Sequence, residues 1–328
     1  MPITSITKDT DALTMTVVAD FPVPVQRLWD AHADPRQLER FWGPTDWPAT
    51  FTRHDFHPGG RSHYWMTGPD GTRAAGYWEC LAMDPGRSFE VTDGFADEFG
   101  TPDPAMPAMR LRLVFEETHQ GSRLISKTWF NSAADYQQLL EMGMEEGMTS
   151  ALGQMDAVLQ DLTSFAAGSG VKTQVLTDTK VRISRVIRGT PAQVRHAHLD
   201  PDLLRRWLLG PDGWRMSDCQ VATTVGDSYR FAWEKEEDGS GGFALYGELL
   251  ELEEPYREVT TESMEGVPGE PNINEQTLTP IEGGTLLTLI ITYPSAEVRD
   301  MVLGTGLTDG IESSYARLEE VLPASARA

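Results

Sequence analysis

Two cysteines in 328 residues, Cys80 and Cys219, leave no room for a disulfide framework, and they fall in different halves of the chain. Such usage fits a reducing compartment. No apolar run approaches the ~18–20 residues that a membrane span needs. Met1–Thr16 lacks the basic region and apolar core of a secretory signal, so a cytoplasmic location is expected. Cations are scarce: 27 Lys and Arg stand against 50 Asp and Glu, a formal charge of −23. The deficit is even, with 12 against 24 in residues 1–165 (net −12) and 15 against 26 in residues 166–328 (net −11). Such a surface repels phosphate backbones and anionic lipid, so neither nucleic acid nor a membrane is expected as a partner. Also missing are a Gly-x-Ser-x-Gly elbow, a Cys/His nucleophile pairing and a glycine loop that follows a strand and opens a helix. His54 and His57 are the nearest thing to a metal pair, but on a strand they point to opposite faces. Neither a metal nor a cofactor is expected.

What is present is a pattern met twice. Tyr136, Leu140, Met144, Met148, Ala151, Met155, Val158 and Leu162 recur every three or four residues, which predicts one long amphipathic helix over Ala134–Leu162. Val298, Val302, Ile311, Tyr315, Leu318 and Leu322 predict a second over Ala296–Leu322. Ahead of the first, Ala12–Phe21 reads as a strand and Val25–His32 as a helix entered through Pro24. Gln37–Trp42 reads as a short helix after Asp34-Pro35. Strands follow near 49–56, 60–66, 73–83, 88–93, 109–117 and 122–130, separated by turns such as Pro58-Gly59-Gly60 and Gly68-Pro69-Asp70-Gly71. Met109, Leu111, Leu113 and Phe115 alternate with Arg110 and Arg112, so this strand has one wet face. Small residues around Ala166–Gly170 read as a linker. The expected domains are therefore 1–165 and 179–328, joined by 166–178, with the boundary near Gly168.

The second half repeats the first. Ala31-His32-Ala33-Asp34-Pro35 answers to Ala197-His198-Leu199-Asp200-Pro201, and Gly43-Pro44 with Trp47 to Gly210-Pro211 with Trp214. A unit this long implies two copies of one domain rather than a solenoid. A long amphipathic helix that closes a strand-rich unit must bury its stripe against the sheet, so the class is α+β.

The order of elements resembles the START/SRPBCC superfamily, the fold of the birch-pollen allergen. The first half is similar to the subfamily named after the activator of the heat-shock-protein-ninety ATPase. That resemblance rests on Pro24-Val25-Gln26-Arg27-Leu28-Trp29-Asp30-Ala31, Phe41-Trp42-Gly43-Pro44, Pro58-Gly59-Gly60-Arg61, Gly68-Pro69-Asp70-Gly71 and Gly143-Met144-Glu145-Glu146-Gly147. The second half keeps Asp200-Pro201, Arg206-Trp207, Trp214, Gly226-Asp227 and Gly310 and is more divergent. The resemblance implies a helix-grip fold, a curved antiparallel sheet wrapped around the long C-terminal helix with an apolar cavity between them. It also implies ligand carriers, cyclase-like enzymes and co-chaperones of the stress response as relatives in function.

Six of the nine tryptophans lie in the first half, and aromatic side chains line cavities as readily as they fill cores. Gly143, Gly147 and Gly153 interrupt the first helix and Gly304, Gly306 and Gly310 the second, each at a cost of ~1 kcal/mol against Ala. Close packing and a pocket-shaping kink both account for them. The expected ligand-binding residues are Trp42, Phe56, His63, Trp65, Trp78, Trp129, Met144, Gly147, Met148, Trp214 and Trp233. Glu145 and Glu146 are expected in solvent. The leading reading is a protein that binds a small hydrophobic or aromatic molecule as carrier, sensor or sequestering protein. An enzyme using the same cavity, with His63 and Tyr64 as acid–base candidates, is the second. A co-chaperone-like module with a chaperone partner is the third. Intramolecular pairing of the two domains is expected as well.

Overall fold

The computed structural model of the protein describes residues 2–160, 170–210 and 212–322. The chain divides into two units, Met1–Thr163 and Ser164–Ala328.

In the first unit, β1 (Ile3–Asp9) and β2 (Thr14–Phe21) form a hairpin. Then come α1 (Val25–Ala33) and α2 (Pro35–Leu38), strands β3 (Ala49–His54), β4 (Arg61–Thr67), β5 (Arg73–Asp84), β6 (Ser88–Phe95), β7 (Met109–Thr118) and β8 (Gly121–Phe130), and helices α3 (Ala133–Glu141) and α4 (Met144–Gln160). All eight strands make one antiparallel sheet in the order β1-β2-β8-β7-β6-β5-β4-β3. Period-2 patterning decides which side faces the helices. Met15, Val17, Ala19 and Phe21 on β2 lie opposite Thr128, Ser126, Leu124 and Ser122 on β8, and all eight are buried. Leu111, Leu113 and Phe115 continue this face on β7, and Phe89 and Val91 on β6. Trp29 of α1 packs edge-on against Phe115 at 5.3 Å and Phe89 at 6.0 Å. Arg110 and Arg112 sit on the opposite, exposed face, as their alternation requires.

The second unit repeats this plan. It holds β9 (Lys172–Val175), β10 (Lys180–Ile187), α5 (Pro191–Leu199), α6 (Pro201–Trp207), β11 (Trp214–Gln220), β12 (Ser228–Lys235), β13 (Phe243–Glu253), β14 (Arg257–Met264), β15 (Asn272–Ile281), β16 (Gly284–Thr292), α7 (Ala296–Leu303) and α8 (Leu307–Val321). Its strand order, β11-β12-β13-β14-β15-β16-β10-β9, is the first order read from the other edge. The duplicated Asp-Pro has a local cause. Asp34 accepts from the backbone N–H of Arg36, and Asp200 from those of Asp202 and Leu203, while the following proline occupies the first helical turn. Each pair thus starts the second short helix of its unit. His32 and His198 also play one part: Nδ1 of each meets the carbonyl four residues back, Leu28 O at 2.9 Å and Val194 O at 2.8 Å. Burial pushes the His32 imidazole down to about 4 and lowers His198 as well, so both are neutral structural groups.

Two sequence expectations need correction. Each long helix is two helices, α3 then α4 and α7 then α8. Gly143 (φ +86°) and Gly306 (φ +84°) adopt the left-handed conformation at the breaks, which an L side chain resists. The amphipathic period runs through both breaks, so it could not reveal them. Two strands, β1 and β9, were not expected. Both are sheet edges, and six of the seven β1 residues and all four of β9 are exposed, so neither carries an apolar alternation. Within the expected linker 166–178, Lys172–Val175 form β9 against β10. Leu162 and Gly168 lie outside the described residues. No helix among those residues is long and apolar enough to cross a membrane.

Candidate functional site

On the helix-facing side of the first sheet, three adjacent strands bring an acid, a phenol and an indole together. Tyr64 of β4 lies opposite Gly76 of β5, and Trp78 of β5 opposite Asp93 of β6. Gly76 is a packing requirement: a Cβ there would come within 2.5 Å of the Tyr64 ring. The Tyr64 hydroxyl donates to Asp93 Oδ1 at 3.2 Å. Trp42, from the segment after α2, stands edge-on to Trp78 at 4.5 Å and to Tyr64 at 6.2 Å. Asp93 is 5% exposed, and burial pushes its carboxyl up to about 7, against the smaller opposing pull of Tyr64, Trp78 and the Gly94 N–H. Burial raises the Tyr64 phenol too, with Asp93 adding to the rise.

The indole N–H groups of Trp42 and Trp78 are both buried without a hydrogen-bond partner in good geometry. Trp42 leans toward the Tyr64 hydroxyl and Trp78 toward the Asp93 carboxyl, close enough to act on both groups but outside good hydrogen-bond geometry, so each donor is under-satisfied. An unsatisfied buried donor costs about 1–3 kcal/mol, so two side by side call for an acceptor. Around this group the helix-facing side remains partly open. Trp42, Phe95, Met109, Met144, Gly147 and Met148 all keep partial exposure, whereas Phe51, Phe89, Leu111 and Leu113 on the same face are buried. A Cβ at Gly147 would meet only Pro44 Cγ at 3.8 Å, and one at Gly153 or Gly310 nothing within 4 Å. The sheet does not press on these three glycines.

The expected site residues divide. Trp42 and Trp78 belong to this face, while Met144, Gly147 and Met148 are on α4, which comes near it where Gly147 lies by Pro44. Phe56 is in the solid core, 5.2 Å from Trp29 and 5.0 Å from Phe89. His63, Trp65 and Trp129 are on the other side of the sheet. His63 Nδ1 meets Thr52 Oγ1 at 2.8 Å, and Gly100 of the 96–108 loop lies against its ring. Trp65 lies under the Arg73 guanidinium at 4.4 Å, and Trp129 lies between Arg110 at 4.1 Å and Lys127 at 5.0 Å. His63 and Tyr64 are neighbours on one strand and so point apart; the structure does not join them. His54 is a core group, with Nδ1 2.9 Å from Ser62 Oγ and Nε2 2.9 Å from the His32 carbonyl. Glu145 pairs with Lys8, while Glu146 is exposed. Among the described residues no group of His, Cys, Asp and Glu could hold a metal. In the second unit, Trp233 donates to the Leu208 carbonyl at 2.7 Å and stacks on Phe243 at 4.8 Å, with Trp214 at 5.5 Å from the same ring.

Sequence reasoning missed Asp93. A signal was there: Phe89, Val91 and Asp93 share one parity of β6, and that parity is the buried one. Glu262 holds the same place, the sixth residue of eight-residue β14 as Asp93 is of eight-residue β6, but it is only partly buried and the buried parity of β14, Arg257 and Val259, does not point to it.

A family model for Activator of Hsp90 ATPase homolog 1-like proteins matches residues 22–160 and again 188–323. Among solved structures, protein Ms6760 from Mycobacterium smegmatis is 47% identical over 49% of this chain and 98% of its own, with a TM-score of 0.46. A protein from Arthrobacter aurescens is 44% identical over 48% and 92%, with a TM-score of 0.47. The AHSA1 protein from Silicibacter pomeroyi is 21% identical over 44% and 96%, with a TM-score of 0.37. No curated protein matches the chain.

Proposed function

The chain belongs, in both halves, to the family of Activator of Hsp90 ATPase homolog 1-like proteins, and on that footing we propose that its first unit binds a small aromatic or apolar molecule carrying a hydrogen-bond acceptor. The observation that carries this is the pair of unsatisfied indole donors, Trp42 Nε1 and Trp78 Nε1, beside a buried carboxyl on a partly open apolar face. An apolar body would rest on Met144, Met148, Phe95 and Met109, and its acceptor would take the indole N–H groups. Met side chains adapt to a shape that is not unique, which suits a carrier or sensor.

The test is a fluorescence titration of the full chain with 2-acetylnaphthalene and its isostere 2-ethylnaphthalene. One net hydrogen bond is worth about 1 kcal/mol, so the ketone should bind about fivefold tighter. The double variant Trp42→Phe/Trp78→Phe should erase the difference while retaining the ethyl compound. Equal affinity of both compounds for the wild-type chain would remove the donors from the account. An absence of binding to either would remove the site.

One observation also favours an acid–base enzyme. A carboxyl that titrates near neutrality, hydrogen-bonded to a phenol, has the properties of a general acid or base. In that reading Asp93 and Tyr64 act, in place of His63 and Tyr64. Turnover of any bound compound that survives Asp93→Asn unchanged would exclude it.

A further inference from the structure

In the second unit the matching face has the opposite character. Where β6 and β7 present Phe89, Val91, Leu111 and Leu113, β14 and β15 present Glu258, Thr260, Asn274 and Gln276 at the same strand positions. Glu262 stands where Asp93 stands, opposite the first residue of the next strand, Asn272 in place of Met109. Asn274 lies opposite Ile291, and Tyr293 is two residues further along, on the same face.

Three acceptors converge there. The Asn274 side chain hydrogen-bonds Glu262, and its Oδ1 is left buried with no partner. Tyr293 is 2% exposed, and its hydroxyl is also buried with no partner. That hydroxyl is close enough to Glu262 for the carboxylate to help raise it to about 12, after the larger effect of burial. Glu262 makes no salt bridge among the described residues, and burial raises its carboxyl with only Asn274 opposing. Above these groups the helices cover the sheet only in part, with Val298, Val302 and Leu307 packed against the cluster that holds Ile291 and Tyr293. Helix α7 buries none of its residues, and Val298, Val302 and Leu307 are only partly covered.

We propose that this face is a second binding site and that it takes an organic cation, a protonated primary amine on a short apolar body. An ammonium group has three N–H donors, and Glu262, Asn274 Oδ1 and Tyr293 Oη supply three acceptors. Its charge stabilises the ionised form of Glu262, which burial otherwise disfavours. Its apolar body covers Val298, Val302 and Leu307. An anion meets repulsion from Glu262, and a purely apolar guest leaves the buried acceptors unpaired. The two units thus share a backbone and differ in ligand class. The inference rests on the reading that these units bind between sheet and helices, but on residues of the second unit alone.

The experiment is a calorimetric titration of the full chain at pH 7.5 with hexylamine, hexan-1-ol and hexanoate. Hexylamine should bind at least tenfold tighter than either of the others. Glu262→Gln should cost at least tenfold in hexylamine affinity, with the fold checked by circular dichroism. Should that variant not fold, Tyr293→Phe, which removes one acceptor and keeps the ring, should weaken the amine several-fold. Equal affinities for amine and alcohol overturn the proposal. So does amine binding that survives both substitutions, or that is lost in Asp93→Asn while Glu262→Gln retains it. Hexylamine failing where 2-acetylnaphthalene binds refutes the second site and leaves the first standing.

Discussion

Asp93→Asn should change how the stability of the first unit depends on pH, and the size of the change follows from burial. The Asp93 carboxyl titrates near about 7 in the folded chain against an ordinary 3.8. A raised carboxyl means that the folded state holds a proton the unfolded state has released. Stability from this group is therefore greatest in acid and is lost as pH rises from 3.8 to about 7, then stays level. A gap of about three pH units at about 1.4 kcal/mol each amounts to about 4 kcal/mol in full. Asp93 is 5% exposed, so solvent screening removes little of it. Between pH 5.5 and pH 8.5 about 2 kcal/mol of that loss falls. The asparagine cannot titrate, and its carbonyl can still accept from Tyr64. His32 tilts the other way, since its imidazole is pushed down to about 4 and stability is lost as pH falls below its ordinary 6.5. That slope is common to both proteins and cancels in the comparison. Urea unfolding followed by tryptophan fluorescence at the two pH values is the assay. The wild-type chain should lose about 2 kcal/mol relative to Asp93→Asn on going from pH 5.5 to 8.5. A difference between the two proteins that is the same at both pH values would refute the buried acid and, with it, the neutral carboxyl beside the indole donors.

The helix breaks make a matched set of glycine tests. Gly143→Ala and Gly306→Ala place a Cβ on left-handed backbone and should each cost about 1–2 kcal/mol, whereas Gly310→Ala, in a helix with nothing within 4 Å, should gain up to about 1 kcal/mol in urea unfolding. Arg195 on α5 is a buried guanidinium paired with Glu254 at 3.0 Å and with Glu258. Arg195→Met should cost about 3 kcal/mol, because it leaves Glu258 with less compensation, and differential scanning calorimetry should show the loss in the second unit's transition alone.

The strands and short helices were legible because their signals are local. Alternation on β7 and β8, the Asp-Pro starts of α2 and α6 and the glycine turns each state one element. What was not legible is what depends on parity carried across strands. Trp65 and Trp129 look like cavity residues by type, but Trp65, though buried, is one position out of phase with Tyr64, Trp129 is one position out of phase with the buried set of β8, and both face the other side of the sheet. Choosing by residue type rather than by phase selected them and passed over Asp93. The breaks at Gly143 and Gly306 were masked for a related reason: a stripe of period 3.6 survives a tight turn when the helix resumes in register. The unsatisfied Nε1 atoms and the freedom around Gly147 and Gly153 are properties of three-dimensional neighbours, and no spacing rule encodes them.

The strongest link between architecture and function is what stability alone would not choose. Each unit carries a carboxyl at the sixth position of the fourth strand after its helix pair, on the side that faces the helices, and burial raises both acids. An apolar residue there would remove the cost of holding a carboxyl away from water, about 4 kcal/mol at neutral pH for Asp93. A requirement of the fold for a carboxyl would also fix its partners. They differ beyond a shared phenol: Tyr64, Trp42 and Trp78 surround one acid, and Asn274, Tyr293 and Tyr229 the other. In each unit, moreover, the polar atoms left unpaired include two beside the acid: two indole donors in the first, and an amide oxygen and a hydroxyl in the second. A buried acid whose neighbours are incompletely satisfied is poor design for stability and good design for taking up a guest that completes the set. The duplicated acid with divergent surroundings therefore argues for two occupied sites of different chemistry rather than for one working unit and one inert scaffold.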